Sequence, residues 1–191
     1  MDDEAQIALR LSDPRRLFNA LDPTPFPERE LDDAVDRFIV EWAEEVPATV
    51  ALAVVVRLPE DARAEAERLG VAAAVSGHFA YRAQGERRRL RRLFQEGRIS
   101  LAIGLAFLTA CVVAAQFAAP LLPTPVDAVF AEGLIIIGWV ANWRPAEIFL
   151  YEWWPIRGRE RLLQRLARAP VAVRFDPPPT GPQPGPSVAM K

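Results

Sequence analysis

A run of 28 residues without a charged side chain, Ile99 to Val126, constrains this chain more than any other feature. Residues 99–119 of the run read I-S-L-A-I-G-L-A-F-L-T-A-C-V-V-A-A-Q-F-A-A and are apolar on every side of a helix. A bilayer core about 30 Å thick needs about 20 apolar residues at about 1.5 Å each. A helix in a small soluble domain is amphipathic instead. The run therefore predicts a membrane-spanning helix.

A second apolar segment, residues 126–143, follows a proline-rich turn at 120–125. Asp127 lies at its start, and Arg144 follows its end. About 25 Å of helix separates these two charges, so that they can lie at opposite interfaces of the membrane. We therefore predict a transmembrane hairpin over residues 99–143, with spans at 99–119 and 126–143.

Arginine is distributed unevenly around the predicted hairpin. Seven arginines lie in residues 82–98 and six in residues 144–168, while the connecting turn has none. Loops that remain in the cytoplasm are enriched in basic residues. The sequence thus predicts a multi-pass membrane protein with both termini in the cytoplasm.

The residues outside the hairpin predict a small cytoplasmic α+β domain, so that the fold class is an α+β membrane protein. Gln6–Leu11 alternates apolar and polar residues, and Thr49–Val56 is continuously apolar, as expected of an outer and a buried central strand. Val171–Phe175 predicts a returning strand. We divide the chain into a cytoplasmic α+β domain (1–98), the hairpin (99–143), a segment with an interfacial helix, a basic helix and the returning strand (144–176), and a disordered proline-rich tail (177–191).

Two helices flank the central strand in this prediction. Glu28–Val46 is amphipathic, and residues 60–97 are mostly helical. The apolar face of the first helix is predicted to contain Leu31, Val35, Phe38, Ile39, Trp42 and Val46. Gly70, Gly77 and Gly85 are the expected weak points of the second helix.

The segment after the second span has two interpretations. Pro145–Trp154 either lies as a helix at the cytoplasmic interface or extends the second span through a kink at Pro145, with Arg144 and Glu147 paired. Aromatic residues are enriched at membrane interfaces. The predicted interface anchors are Trp139, Trp143, Tyr151, Trp153 and Trp154.

Two polar side chains are predicted to lie within the membrane. Glu132 lies five residues inward from Asp127, and an antiparallel hairpin places Gln116 at a similar depth. Glu132 either faces the outer headgroups, bonds to Gln116 or forms an ion or proton site. Alanines recur every fourth residue along the first span, a pattern that allows helices to approach closely in lipid. They are the predicted helix-packing residues, within the hairpin or in a homo-oligomer: Ala102, Ala106, Ala110, Ala114 and Ala118.

An arginine cluster precedes the first span, at Arg87, Arg88, Arg89, Arg91 and Arg92. It determines topology, binds anionic lipid headgroups, or binds nucleic acid. Nucleic acid is disfavoured because no aromatic residues alternate with the arginines to stack on bases. The expected partners are therefore membrane lipids, a second copy of the chain and an unidentified protein.

Little in the sequence indicates catalysis. It has no nucleophile elbow, phosphate loop, dinucleotide fingerprint or metal-ligand spacing, so that no catalytic, cofactor-binding or metal-binding residue is predicted. The single cysteine, Cys111, is expected to act as a small hydrophobe, and the single histidine, His78, as a packed residue rather than an acid–base group. The sequence favours a membrane-anchored interaction or scaffold protein over a transporter or channel accessory subunit, and both over an enzyme.

Three segments carry a resemblance to a known group: L-F-N-A-L-D-P-T-P-F, H-F-A-Y-R and E-I-F-L-Y-E-W-W-P-I-R. Over residues 17–175 the chain resembles uncharacterised small bacterial two-span inner-membrane proteins. The resemblance implies the same membrane location and carries no activity or site residues.

Overall fold

The computed structural model describes residues 4–19, 30–118 and 121–177. The proline-rich loop at 22–27 and the predicted tail beyond residue 177 lie outside them. The chain forms two compact units. We call residues up to 82 and from 162 onward the sheet unit, and residues 83–161 the helix unit.

A three-stranded parallel sheet organises the sheet unit. It consists of β1 (Glu4–Arg10), β2 (Ala51–Pro59) and β3 (Val171–Asp176), in the order β1-β2-β3. The three predicted strands are thereby confirmed, with the continuously apolar one at the centre. Parallel neighbours need a crossover connection, and the crossover from β2 to β3 contains the whole helix unit.

Helices accompany the strands of the sheet unit. One 3-10 turn, Pro14–Leu17, follows β1, and another, Glu60–Ala62, follows β2. The helices are α1 (Asp33–Glu45), α2 (Arg63–Leu69) and the first part of α3 (Val71–Ala118). Gly70, with φ of +58°, ends α2, because glycine adopts this left-handed conformation without steric cost. Gly77 and Gly85 lie inside α3 without interrupting it, so that only one of the three expected weak points is a break.

The buried face of α1 differs from the predicted one. Ile39, Val40 and Ala43 are its buried residues, whereas Phe38 is 39% and Trp42 49% exposed. Hydrophobicity alone assigns Asp36 to the polar face, but its carboxylate pairs with two side chains of α3 (described below). With Asp36 turned inward, the two aromatic residues turn outward.

The helix unit contains the rest of α3, followed by α4 (Val126–Val140), α5 (Trp143–Glu147), a π-helical segment (Ile148–Glu152) and α6 (Trp153–Arg168). The π-helical segment directly precedes α6, where Pro155 lacks a backbone N–H and cannot continue a regular hydrogen-bond ladder. The path from α4 to α6 is helical except for a turn at residues 141–142, and Pro145 lies inside α5. The last residues of α6 belong to the sheet unit, where Leu163 and Leu166 are buried.

Candidate membrane-spanning helix pair

The second half of α3 packs against the helices that follow it. Contacting pairs along the unit are Phe94–Phe149, Gly97–Ile148, Gly104–Asn142 and Leu108–Gly138. The residue number rises along one helix as it falls along its partner. The two helical segments are therefore antiparallel over the length of these contacts.

At two of the three glycines on this contact, Gly104 and Gly138, backbone atoms of the facing helix lie close as well. A Cβ atom on Gly138 would lie 2.7 Å from Leu108 Cδ1 and 3.2 Å from Leu108 Cα. A Cβ atom on Gly104 would lie 2.7 Å from Asn142 Oδ1 and 3.1 Å from the Ala141 carbonyl oxygen. Real Cβ contacts are longer than about 3 Å, so neither position has room for a side chain unless the helices move apart.

One hydrogen bond links the two helices at the same level. The Asn142 amide donates to the Gly104 carbonyl oxygen at 3.2 Å and to the Gly138 carbonyl oxygen at 3.0 Å. Its Oδ1 atom is buried and accepts no hydrogen bond from the described residues. Interhelical amide bonds of this kind contribute about 1 kcal/mol in apolar surroundings.

Both helices are long and apolar enough to cross a membrane, and most of their apolar surface is exposed. In the apolar 18-residue window of α3, only 17% is buried. In the corresponding window of the helical stretch Val126–Arg168, only 6% is buried. Phe117 is 74% and Val129 70% exposed. A core helix of a soluble protein is mostly buried, which these helices are not.

The two polar residues predicted to lie in the membrane do not meet. Gln116 and Glu132 are both exposed on their helices, and no hydrogen bond joins them among the described residues. Of the three alternatives for Glu132, the bond to Gln116 is thus not observed among the described residues. Cys111 is 5% exposed and lies against Gly138, in agreement with its role as a small hydrophobe.

The alanine stripe does not form the contact between the helices. Gly104, Cys111 and Ala115 are the buried residues of α3 here, whereas Ala102, Ala106 and Ala110 are exposed and Ala114 and Ala118 half-buried. The contact within the pair thus runs through Gly104 and Cys111, and the glycine at position 104 permits a closer approach than an alanine does.

Four of the five predicted interface anchors are exposed: Trp139, Trp143, Tyr151 and Trp154. Trp153 differs, because its ring packs against that of Phe94, with the two ring centroids 6.4 Å apart. Its indole N–H also donates a hydrogen bond to the Phe149 carbonyl oxygen at 3.0 Å. Its side chain thus contributes to the contact between the two helices of the unit.

Charged residues lie beside one end of the apolar surface. The five arginines of the cluster between residues 87 and 92 are all exposed on α3. Arg144 contacts three carboxylates, those of Glu96 at 3.2 Å, Glu147 at 3.7 Å and Glu152. The Arg144–Glu147 pair of the kinked-span interpretation is present, and Glu96 extends it to the facing helix.

His78 is a packed residue of the sheet unit. Its Nδ1 atom accepts the backbone N–H of Leu31 at 3.3 Å, so that the ring proton is on Nε2, which donates to Asp36 at 3.0 Å. Arg82 donates hydrogen bonds to both oxygens of the same carboxylate. Burial raises the pKa of Asp36, but the hydrogen bonds from His78 and Arg82 and the charge of Arg82 outweigh this and hold it below its usual value.

Replacing Asp36 by asparagine should destabilise the protein at neutral pH by about 2 kcal/mol, because Arg82 then loses the partner of a half-buried charge. A depressed folded-state pKa stabilises the fold above the unfolded pKa and loses this effect as the pH falls through the folded value. The difference between wild type and Asp36→Asn should therefore shrink only below about pH 4. Thermal unfolding in mild detergent between about pH 7 and about pH 2.5 measures it. A constant difference across this range would contradict the assignment.

Sequence reasoning missed the residues that determine these contacts. Gly104, Gly138 and Asn142 carried no signal except their small or polar character in an apolar segment. Asp36 was hidden among many acidic residues of the first 64 positions. The described residues contain no group of three or more His, Cys, Asp or Glu side chains that could hold a metal ion.

The resemblance to small two-span membrane proteins is an expectation from three short segments of sequence. No protein-family model, curated protein or solved structure matches this chain.

Proposed function

We propose that this chain is a membrane-anchored interaction or scaffold protein of the bacterial inner membrane, of the kind it resembles. The helix unit crosses the membrane as a hairpin over residues 99–143, and the sheet unit holds a protein partner in the cytoplasm. The exposed apolar surface of both helices carries the proposal. Placing that surface in water would be unfavourable by about 25 cal/mol for each Å².

The arginines support the orientation. Those at 87–92 and at 157–161 are exposed near one end of the helix unit, while the turn at 121–125 has no charge. Positive residues remain on the cytoplasmic side. There the cluster contacts anionic lipid headgroups, at about 1 kcal/mol for each arginine near the surface.

An aromatic pair on α1 supports the interaction role. Phe38 and Trp42 are half exposed, with ring centroids 6.3 Å apart. Aromatic side chains are enriched in protein interfaces and among the residues that dominate binding energy. We assign the contact with the protein partner to this pair, and a contact between copies of the chain in the membrane to the exposed alanines 102, 106 and 110.

The second candidate, a transporter or channel accessory subunit, requires intramembrane polar groups that face a common path. Gln116 and Glu132 are both exposed, and no hydrogen bond joins them among the described residues. The interaction role therefore has the stronger support.

Single-cysteine labelling tests the membrane arrangement. In a Cys111→Ala background, a single cysteine is introduced at one of three exposed positions. Leu121→Cys lies in the turn between α3 and α4, Thr49→Cys precedes both helices in the chain, and Ala172→Cys follows both. We expect a membrane-impermeant maleimide to label Leu121→Cys in intact cells, and the other two only after the inner membrane is permeabilised. Labelling of all three in intact cells, or of none, would overturn the arrangement.

A second arm of this experiment tests the interaction role. A photo-crosslinking phenylalanine at position 42 should yield one dominant adduct in cells, whereas the same group at Arg37, on another side of α1, should not. Equal crosslinking at both positions would show that the aromatic pair has no part in binding.

A further inference from the structure

Three arginines stand in register across the parallel sheet. Arg10 of β1 pairs with Arg57 of β2, and Arg57 pairs with Arg174 of β3. Register partners on neighbouring parallel strands are about 4.8 Å apart and point to the same face. Guanidinium groups are always charged, and like charges directly opposite each other are destabilising. The sheet by itself gains nothing from this row.

The face that carries this row is exposed at all three arginines. In the preceding row, Ala8 and Ala172 are exposed, whereas Val55 between them is buried, and all three arginines are exposed. The residues that alternate with them point to the other face, where Leu9 and Val56 are buried. The exposed part of this face therefore lies on the two outer strands and along the arginine row.

A cleft lies where these strands end. It has a volume of about 450 Å³ and is lined by residues that include Arg10, Arg16, Arg57, Ser12 and Asp176. Asp176 accepts a hydrogen bond from Arg10 at 3.2 Å, while Arg16 and Arg57 have no carboxylate partner among the described residues. The cleft is positive in a chain whose net charge is −2.

Its position and chemistry fit an anionic ligand. Parallel sheets bind ligands outside the carboxyl ends of their strands, and this volume lies within the range of small-molecule sites. Arginine binds phosphate oxygens with two parallel hydrogen bonds. One carboxylate would neutralise one arginine, whereas a chain of phosphates spans several guanidinium groups at this spacing.

We propose that this cleft binds a polyphosphate group, with Arg57 and Arg16 as its main ligands and Arg10 and Arg174 at its margins. Ser12 supplies a hydroxyl donor beside them. The group belongs to a free compound such as a nucleoside triphosphate or to a phosphorylated lipid headgroup. Either source relieves the repulsion along the arginine row.

Inorganic tripolyphosphate is the probe for a free compound, added to the full chain in nanodiscs of neutral lipid at constant ionic strength. We expect saturable binding by calorimetry and a higher unfolding temperature in its presence. Arg57→Gln should weaken binding about tenfold or more, through the loss of charge-assisted hydrogen bonds. The matched control, Arg37→Gln on α1, should leave it unchanged.

Nanodiscs that contain diacylglycerol diphosphate, a lipid whose headgroup is two linked phosphates, form the second arm. Stabilisation by this lipid that Arg57→Gln removes, without tripolyphosphate binding in neutral lipid, assigns the group to a headgroup. Without any ligand, Arg57→Gln should unfold at the same temperature as wild type or higher, because it removes one of three like charges. If that variant does not fold, Arg16→Gln, which lies outside the sheet, replaces it in the binding assay. Absence of saturable binding in both arms, or an equal loss in Arg37→Gln, overturns the proposal.

Discussion

Gly138→Leu should separate the two apolar helices and lower the free energy of unfolding by about 3 kcal/mol or more. The leucine side chain would begin 2.7 Å from Leu108 Cδ1 and 3.2 Å from Leu108 Cα. The second of these atoms belongs to the backbone of α3 and cannot rotate away. Relief requires the helices to move apart, which also breaks the hydrogen bond from Asn142 to Gly104.

The native cysteine reports this separation. Cys111 is 5% exposed, and its Cβ atom would lie 3.3 Å from a Cβ on Gly138. In mild detergent, Gly138→Leu should therefore make Cys111 react faster with a small uncharged maleimide and should lower the thermal unfolding temperature. Both measurements use the full chain.

Gly133→Leu is the matched control because it lies on the same helix and adds the same side chain. No atom of the described residues lies within 4 Å of a Cβ at this position. It removes a helix glycine, so that its stability should equal or exceed that of wild type. Equal effects of the two variants would mean that the close approach at Gly138 does not hold the helices together.

The apolar helices could be found from sequence because their signal is local. A segment that is apolar on every side is unfavourable in water wherever it lies, so residues 99–118 need no partner to be recognised. The same holds for β2, whose run of apolar residues fits the centre of a parallel sheet. Each feature depends on the composition of one segment.

Contacts between segments could not be found in this way. The alanine stripe has the correct spacing for close packing, but the actual face also depends on Gly138 and Asn142 of the other helix. Which face of α1 is buried depends likewise on the pairing of Asp36 with two residues more than 40 positions away. A pattern within one helix carries no information on either choice.

Deleting residues 170–191 should unfold the sheet unit. The deletion removes β3, which pairs with β2 from Val54 to Pro59, and the hydrogen bond from Val54 N–H to the Pro170 carbonyl oxygen. It also removes Phe175, whose ring lies 4.1 Å from the Arg63 guanidinium carbon. We expect a loss larger than the roughly 4 kcal/mol of the most severe single substitutions, with aggregation through the exposed edge of β2.

Deleting only residues 178–191 is the control, since this segment is rich in proline and has little apolar surface to bury. Its soluble yield and its thermal unfolding should match those of the full chain. The contrast tests the topology, because β3 follows the whole helix unit in sequence and yet completes a sheet begun before it. If the membrane hairpin is inserted into one domain, the sheet remains incomplete until the chain has crossed the membrane twice. Equal behaviour of the two truncations would mean that the segments before the hairpin fold alone, and the inserted topology would be wrong.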